Sequence, residues 1–284
     1  MPVKAAPQQA ALRLGLIGSG IGRSPSPAMH RAALEARGLR GDYELLDTRP
    51  EQLPGVLQRL RSGELDGCNV TIPYKAALAG ACDRLDGDAA VCRAVNTLVR
   101  TGGVLVGENT DARGFELSLA YQRLVPEPGG RALVLGAGGG AAAVVLALCR
   151  MRVGEIAVVA RRPDQAAELC LRVSPDNSRP VAWDDTAAVE EAARRAAIVV
   201  NATAAGIADL PVRLDLLAEG CIVADLRYRP RPVDLVSAAL ERGLQASDGV
   251  EMLLFQGMLS FQRWTGADPP WHAARTALLA ALAA

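Results

Sequence analysis

A glycine-rich turn between an apolar strand and a helix constrains the fold of this chain more than any other feature. Leu133-Val134-Leu135 leads into Gly136-Ala137-Gly138-Gly139-Gly140-Ala141, which fits the pattern G-x-G-x-x-A. Glycines permit a tight turn and let backbone N–H groups at a helix N-terminus approach a pyrophosphate. A strand–helix–strand unit follows at the right length, so the pattern predicts a dinucleotide site, although similar turns also form for packing alone.

The same stretch, residues 132–149, carries no charge over a length that could suggest a membrane span. The glycines in its middle predict a buried strand, a turn and a helix start instead. Residues 1–12 contain no apolar block ahead of a cleavage site, which predicts that there is no signal peptide. We therefore expect a cytoplasmic protein with no membrane partner.

Strands alternate with helices on both sides of the linker Pro126–Gly130, which predicts two α/β layers with mainly parallel sheets. We expect a substrate domain of residues 1–114 plus 251–284 and a Rossmann-like dinucleotide domain of residues 115–250. An early helix is expected to start at Pro27 with Ser26 as its N-cap. Two late helices, residues 249–264 and 270–283, are expected to pack back on the first domain.

Composition excludes several classes of function. The formal net charge is zero, and no basic run with interleaved aromatic residues favours nucleic-acid binding. The six cysteines have no C-x-x-C spacing and only two histidines accompany them, which predicts buried free thiols and no metal site.

Lysine is almost absent from this arginine-rich chain. Of the 31 basic residues, only Lys4 and Lys75 are lysines. Arginine stays protonated at any working pH, whereas lysine exchanges a proton readily. Lys75 is therefore the first candidate for proton transfer, with a structural ion pair as the alternative.

The end of the strand after the glycine turn predicts the cofactor. NAD sites place Asp or Glu there to bind the ribose 2′-hydroxyl, but this chain has Ala160, Arg161 and Arg162. Guanidinium groups suit a 2′-phosphate, which they bind through two hydrogen bonds. The sequence therefore favours NADP over NAD.

Other polar residues cluster where predicted strands end. Ser24 and Ser26 place two hydroxyls at a helix start, where they could receive a carboxylate or merely cap the helix. Hydroxyl, amide, lysine and carboxylate groups follow in Asn69, Thr71 and Lys75, in Asn96 and Thr97, and in residues 109–111. This set suits a small polyhydroxylated acid, with Asp111 able to hold Lys75 and share a proton with a substrate hydroxyl.

Eight motifs in chain order make the sequence resemble the shikimate dehydrogenase family from about Leu12 to the C-terminus. They are S-x-S-P-x-M-H at residues 24–30, N-V-T-x-P-x-K at 69–75, A-V-N-T-L at 94–98, N-T-D at 109–111, G-A-G-G at 136–139, N-A-T-x-x-G at 201–206, D-x-x-Y-x-P at 225–230 and D-G-x-x-M-L-x-x-Q at 248–256. Each motif is moderately specific, and their shared order adds to the resemblance.

The resemblance implies a role for each matched position. Lys75 and Asp111 would be catalytic, and Ser24 and Ser26 would bind the substrate carboxylate. Further substrate contacts would come from Thr71, Asn96, Asp111, Tyr228 and Gln256. The cofactor would be lined by Gly136, Ala137, Gly138, Gly139, Gly140, Ala160, Arg161, Arg162, Thr203, Leu226 and Gly249.

The family implies NADPH-dependent reduction of 3-dehydroshikimate to shikimate, a step toward chorismate and the aromatic amino acids. The family usually has Asn, Arg and Thr where this chain has Ala160, Arg161 and Arg162, so one 2′-phosphate ligand is lost and Arg162 is the expected substitute. Two alternatives stay open: a dehydrogenase for quinate or an amino-substituted relative, and a non-catalytic dinucleotide sensor. Either a monomer or a homodimer fits the sequence.

Overall fold

The computed structural model describes residues 10–284, so Lys4 lies outside the described part. The strands are β1 (Leu12–Gly18), β2 (Gly41–Asp47), β3 (Gly67–Val70), β4 (Arg84–Leu85), β5 (Thr97–Thr101), β6 (Val104–Glu108), β7 (Arg131–Leu135), β8 (Glu155–Ala160), β9 (Ser178–Ala182), β10 (Ile198–Asn201), β11 (Ile222–Asp225) and β12 (Gln245–Ser247). The helices are α1 (Ser26–Ala36), α2 (Leu53–Ser62), α3 (Lys75–Ala79), α4 (Asp88–Cys92), α5 (Asp111–Gln122), α6 (Gly139–Arg150), α7 (Pro163–Val173), α8 (Thr186–Arg194), α9 (Asp234–Glu241), α10 (Val250–Thr265) and α11 (Trp271–Ala283).

The chain divides into two compact units. The first contains the described residues up to Asp86, Val95–Glu108 and Gly257–Ala284, and the second contains Gly87–Ala94 and Asn109–Gln256. Each unit contains one six-stranded sheet. The two α/β layers predicted from the alternation of strands and helices are thereby confirmed.

The sheet of the first unit has the strand order β2-β1-β3-β5-β6-β4. β1 pairs in parallel with β2 and β3, whereas β5 and β6 form an antiparallel hairpin. In β1 the side chains of Leu14, Leu16 and Ile17 are buried. The last helix, α11, packs on α1, as expected for a C-terminal segment that returns to the first domain.

The sheet of the second unit is entirely parallel, with the order β12-β11-β10-β7-β8-β9. Along β7, Leu133 and Leu135 belong to one apolar cluster, and Ala132 and Val134 belong to another. A sheet that buries both faces in this way is typical of a doubly wound fold. The chain leaves the central strand β7 toward β8 and β9 and later returns to β10 on the other side of β7.

The Ser26 N-cap prediction was wrong. Ser26 is itself the first residue of α1, and the residue in the cap position, Pro25, makes no side-chain hydrogen bond to the first turn. Pro27 consequently occupies the second helical position, where its lack of an N–H group is still harmless.

None of the described helices has the length and apolar character needed to cross a bilayer.

Candidate functional site

In the first unit, Thr71 lies at the carboxyl ends of two neighbouring parallel strands. Its backbone N–H donates to the carbonyl of Ile17 at 2.9 Å, which ties the end of β3 to the end of β1. A Cβ atom on Gly18 would lie only 2.5 Å from Cγ2 of Thr71. Gly18 is therefore what lets Thr71 approach the end of β1, and ligands in α/β sheets bind outside the carboxyl ends of the strands.

Backbone hydrogen bonds place Lys75 beside the segment that carries Asn96. Lys75 is the first residue of α3, and its carbonyl accepts from the N–H of Val95 at 2.9 Å. The carbonyl of Asn96 accepts from the N–H of Val70 at 2.8 Å. The first unit thus brings Thr71, Lys75 and Asn96, which are distant in sequence, to one end of its sheet.

The two predicted carboxylate-binding serines are adjacent at the start of α1. The hydroxyl of Ser24 donates to Oγ of Ser26 at 3.2 Å, and Oγ of Ser24 accepts from the Ser26 N–H at 3.3 Å. Ser26 is buried, whereas Ser24 is partly exposed. Two hydroxyls and the free N–H groups of a helix start can together bind an anionic oxygen pair.

In the second unit, Asp111 and Gln256 are held close by the packing of α5 on the first turns of α10. Asp111 is buried and begins α5, where its N–H donates to Oδ1 of Asn109 at 2.9 Å. The hydroxyl of Thr110 donates to the backbone carbonyl of Gln256 at 2.9 Å. A Cβ atom on Gly114 would lie 2.9 Å from the backbone nitrogen of Gln256, so Gly114 permits this close approach.

The glycine turn follows β7 in the second unit and leads into α6. Gly136 has φ +111°, which side chains rarely adopt, and a Cβ atom there would lie 3.0 Å from Cγ2 of Thr203. Thr203 is itself fixed, because its N–H and hydroxyl both donate to Oδ1 of Asn201, at 3.0 and 2.7 Å. The structure thus joins the G-A-G-G and N-A-T-x-x-G motifs at the carboxyl ends of β7 and β10.

Three further predicted cofactor residues meet at the same turn. A Cβ atom on Gly140 would lie 3.4 Å from Cδ1 of Leu226, so Leu226 packs beside the turn. A Cβ atom on Gly249 would lie 2.1 Å from the carbonyl oxygen of Leu226, so no side chain is tolerated there without movement. The strand-to-helix turn between β7 and α6 therefore brings together residues 136, 140, 203, 226 and 249.

Tyr228 follows a cluster of charged side chains that the motif alone did not reveal. The carboxylate of Asp225 is fully buried and accepts from Nδ2 of Asn201 at 3.0 Å and from the guanidinium of Arg227 at 2.7 Å. Arg227 also contacts Asp234, whose carboxylate accepts from the Ile207 N–H at 3.0 Å. This cluster ties the segment before Tyr228 to the end of β10.

The arginines predicted to bind a 2′-phosphate lie just after β8. Within residues 10–284 neither Arg161 nor Arg162 is ion-paired with a carboxylate. The guanidinium of Arg161 lies 6.0 Å from the ring centroid of Trp183, at the distance limit of a cation–π contact. Two uncommitted guanidiniums, the glycine turn and the N-terminus of α6 together fit a dinucleotide that carries a 2′-phosphate. Trp183 was not predicted, because its segment, with Asp184 and Asp185 next to it, matches no cofactor motif.

The six cysteines are free thiols. Burial raises the pKa of Cys82 to about 11 and the pKa of both Cys92 and Cys221 to about 12. These thiols are therefore protonated at neutral pH and poor nucleophiles. Within the described part of the chain, no three His, Cys, Asp or Glu side chains are grouped so that they could hold a metal ion.

The two α/β units, with a doubly wound sheet and a glycine turn in the second, define a two-domain protein of the dinucleotide-binding class. Three family models match segments of both units. Residues 16–98 match the shikimate dehydrogenase substrate binding domain, residues 118–210 match shikimate/quinate 5-dehydrogenase, and residues 249–279 match the shikimate 5′-dehydrogenase C-terminal domain.

Individual relatives cover nearly the whole chain. A protein of Rubrobacter xylanophilus named shikimate dehydrogenase (NADP(+)) is 42% identical over 271 residues, which are 93% of this chain and 94% of that protein. Shikimate 5-dehydrogenase from Thermus thermophilus, crystallised with NADP(H) and shikimate, is 38% identical with a TM-score of 0.84, covering 95% of this chain and all of that one. Quinate dehydrogenase from Corynebacterium glutamicum, whose structure was solved in complex with NAD, is 28% identical with a TM-score of 0.85, over 95% of this chain and 99% of that one. The chain belongs to the shikimate dehydrogenase family.

Proposed function

We propose that this protein is a shikimate dehydrogenase, which catalyses the reversible NADPH-dependent reduction of 3-dehydroshikimate to shikimate. The observation that carries the proposal is the 42% identity to the Rubrobacter xylanophilus shikimate dehydrogenase (NADP(+)) over 93% of the chain. The acid–base pair that the family motifs imply, Lys75 and Asp111, is present in the sequence. A non-catalytic sensor would have no use for that pair.

Substrate binding is assigned to the residues at the family's motif positions. Ser24 and Ser26 bind the carboxylate through their hydroxyls and the helix start described above. Hydrogen bonds to the rest of the substrate come from Thr71, Asn96, Asp111, Tyr228 and Gln256. In this proposal, residues 1–114 and 251–284 form the substrate domain, and residues 115–250 form the cofactor domain.

Lys75 performs the proton transfer. Its ammonium group donates a proton to the oxygen at C3 as the ketone becomes an alcohol, and its amine takes the proton back in the reverse direction. Asp111 is the catalytic partner that the family motif assigns to Lys75. General acid–base catalysis of this kind is worth about 10²–10⁴ in rate.

The cofactor domain binds NADP(H), which supplies or accepts the hydride. Backbone N–H groups of residues 136–140 bind the pyrophosphate, and Thr203, Leu226 and Gly249 complete the walls of the site. Arg161 and Arg162 bind the 2′-phosphate, and the absence of a carboxylate at Ala160 removes the usual ligand for an NAD ribose. The Arg161 guanidinium beside Trp183, which forms no ion pair with a carboxylate among residues 10–284, supports this preference.

Steady-state oxidation of shikimate with NADP and with NAD tests the proposal, and oxidation of quinate is the control. We expect turnover with shikimate and NADP to exceed all other combinations. Quinate is the second candidate substrate, because the likeness to the Corynebacterium glutamicum quinate dehydrogenase has a TM-score of 0.85. Faster oxidation of quinate than of shikimate would assign the protein to that activity.

The sequence also gives expectations for the location of the protein and for its oligomeric state. We expect a cytoplasmic enzyme, and the six free cysteines support a reducing compartment. A monomer or a homodimer is expected, and light scattering of the purified protein distinguishes them.

A further inference from the structure

An ion-pair network in the second unit links the end of β11 to the start of α9. Nη2 of Arg227 donates to Oδ2 of Asp225 at 2.7 Å and to Oδ1 of Asp234 at 2.5 Å. The backbone N–H of Arg227 also donates to Oδ1 of Asp225 at 2.8 Å. The Asp225 side chain is fully buried and that of Arg227 is 13% exposed, whereas that of Asp234 is 46% exposed. One guanidinium therefore neutralises a buried carboxylate and ties it to a second one in α9.

The network continues from Asp225 to Thr203 through the side chain of Asn201. Nδ2 of Asn201 donates to Oδ2 of Asp225 at 3.0 Å and to the carbonyl of Ala205 at 3.1 Å, and Oδ1 accepts from the Thr203 N–H at 3.0 Å. A carbonyl can only accept and an N–H can only donate, so the two backbone partners determine the amide orientation of Asn201. Thr203 is thereby connected to Arg227 by hydrogen bonds whose donors and acceptors are known.

Two more of the proposed cofactor residues are attached to the same network through the backbone. The N–H of Leu226 donates to the carbonyl of Asn201 at 2.9 Å. The carbonyl of Arg227 accepts from the N–H of Gly249 at 2.9 Å. Thr203, Leu226 and Gly249 therefore depend on one framework for their positions.

Asp234 is anchored independently of Arg227. Its Oδ2 accepts from the N–H of Ile207 at 3.0 Å, and its Oδ1 accepts from the N–H of Leu235 at 2.7 Å. A Cβ atom on Gly206 would lie 2.7 Å from Oδ2 of Asp234, so the absence of a side chain at Gly206 makes room for this carboxylate. Asp234 is therefore a fixed point to which Arg227 holds the segment after β11.

We propose that Arg227 and Asp234 are positioning residues that hold the cofactor-binding residues Thr203, Leu226 and Gly249 in place. This inference rests on the proposed function, because that function assigns these three residues to the dinucleotide. They adjoin the glycine turn, which would bind the pyrophosphate that NADP and NAD share. Loss of the link should therefore weaken both cofactors equally, by about tenfold, which corresponds to about one hydrogen bond.

The test measures the Kd for NADP and for NAD by calorimetric titration of the full chain, without shikimate, in Arg227→Met and in Asp234→Asn. Arg227→Met removes the guanidinium and keeps a long side chain, and Asp234→Asn removes the charge that Arg227 binds and keeps the shape. We expect both variants to raise both constants about tenfold and to leave their ratio unchanged. A rise for NADP alone would show that Arg227 binds the 2′-phosphate directly, and unchanged constants would show a purely structural network. Either result would overturn the proposal.

The two substitutions change the charge in opposite directions, which separates positioning from electrostatic attraction. A dinucleotide is anionic, so loss of the positive charge of Arg227 alone would weaken its binding and loss of the negative charge of Asp234 would strengthen it. Positioning predicts weaker binding in both variants, and tighter binding by Asp234→Asn would contradict it. Because both substitutions break one ion pair, the double variant should bind no worse than the weaker single variant. Fully additive losses would refute the shared link.

Arg213→Met is the matched control. Arg213 donates to both carboxylate oxygens of Asp215, two positions away, at 3.2 and 2.6 Å, and no proposed cofactor residue belongs to this pair. This variant should leave the Kd for NADP and for NAD unchanged. An equal rise in Arg213→Met would show a nonspecific effect of losing an arginine and would overturn the proposal.

The choice of variants and of the binding measurement keeps the test decisive. Arg227→Met leaves the buried Asp225 without its counter-ion, which strongly destabilises a protein. If that variant does not fold, Asp234→Asn still tests the link, because Asp234 is exposed and Arg227 keeps its bond to Asp225. If the wild-type protein binds NADP but does not oxidise shikimate, only the proposed reaction fails and the titrations still decide the positioning role. A wild-type protein that binds neither dinucleotide would overturn the inference too.

Discussion

The imidazole ring of His30 stacks on the phenol ring of Tyr43, with 4.2 Å between the ring centroids and 3° between the planes. His30 is fully buried, and within residues 10–284 neither of its ring nitrogens has a hydrogen-bond partner. Burial lowers the pKa of His30 to about 3, and a weaker polar contact with Asn69 acts in the opposite direction. The ring is therefore neutral and packs as a flat, mostly apolar group.

The first prediction concerns the pH dependence of stability. Between about pH 6.5 and about pH 3, the unfolded chain binds a proton at His30 that the folded chain does not bind. The contribution of His30 is fully present above pH 6.5, and the free energy of unfolding should decrease as the pH falls, by up to about 1.4 kcal/mol per pH unit. Urea denaturation between pH 4 and pH 7 measures this slope.

His30→Phe should reduce the slope in that pH window, because it keeps a flat ring and removes the titration. His272→Gln is the control, since His272 is exposed, and it should leave the slope unchanged. An equal slope in the wild-type protein and in His30→Phe would contradict the prediction.

The second prediction compares two glycines in the first unit. A Cβ atom on Gly67 would lie 2.3 Å from Nε1 of Trp264, whose N–H donates to the carbonyl of Leu98 at 3.0 Å. Gly67→Ala should therefore destabilise the protein by about 1–3 kcal/mol through overpacking. Gly55 lies in α2 with open space around its Cβ position, so Gly55→Ala should stabilise by about 0.4–1 kcal/mol. Thermal denaturation of both variants measures the change in stability, which should be a decrease in Gly67→Ala and an increase in Gly55→Ala. A change of the same sign in both variants would refute the packing argument.

The third prediction concerns proton transfer. Lys75→Ala should lower kcat for shikimate oxidation by about 10²–10⁴, because no other group is assigned to move the proton. Lys75→Arg is the matched variant, since it keeps the positive charge but does not release a proton at working pH. The kcat of Lys75→Arg should stay within tenfold of the kcat of Lys75→Ala. Recovery of most of the activity with arginine would show that charge alone is needed.

The fourth prediction concerns the cofactor. Charge-assisted hydrogen bonds contribute about 1.5–3 kcal/mol, so Arg161→Gln with Arg162→Gln should lower kcat/KM for NADP by roughly 10–100-fold. The same constant for NAD should change less than twofold, because NAD has no 2′-phosphate. Arg242→Gln, at the end of α9, is the control and should affect neither cofactor. An equal loss for NADP and NAD would assign the two arginines a structural role.

Some elements could be predicted from a few neighbouring residues. β8 and α7 have clear local signals, because an apolar run ends at Ala160 and Pro163 marks a helix start. Other elements have no such local signal. β9 contains Pro180 and only a short apolar run, and it forms the edge of the second sheet, where a missing N–H is tolerated.

The sequence by itself determined the two α/β layers, the glycine turn and the residue types available for chemistry, since periodicity and turn preferences act over a few residues. Only the tertiary structure decided which distant residues meet. Gly249 adjoins the carbonyl of Leu226, and Thr97 shares a hydrogen bond with Ser260, 163 positions away. These contacts depend on the order of the strands and on how helices pack against them, and no short segment encodes either.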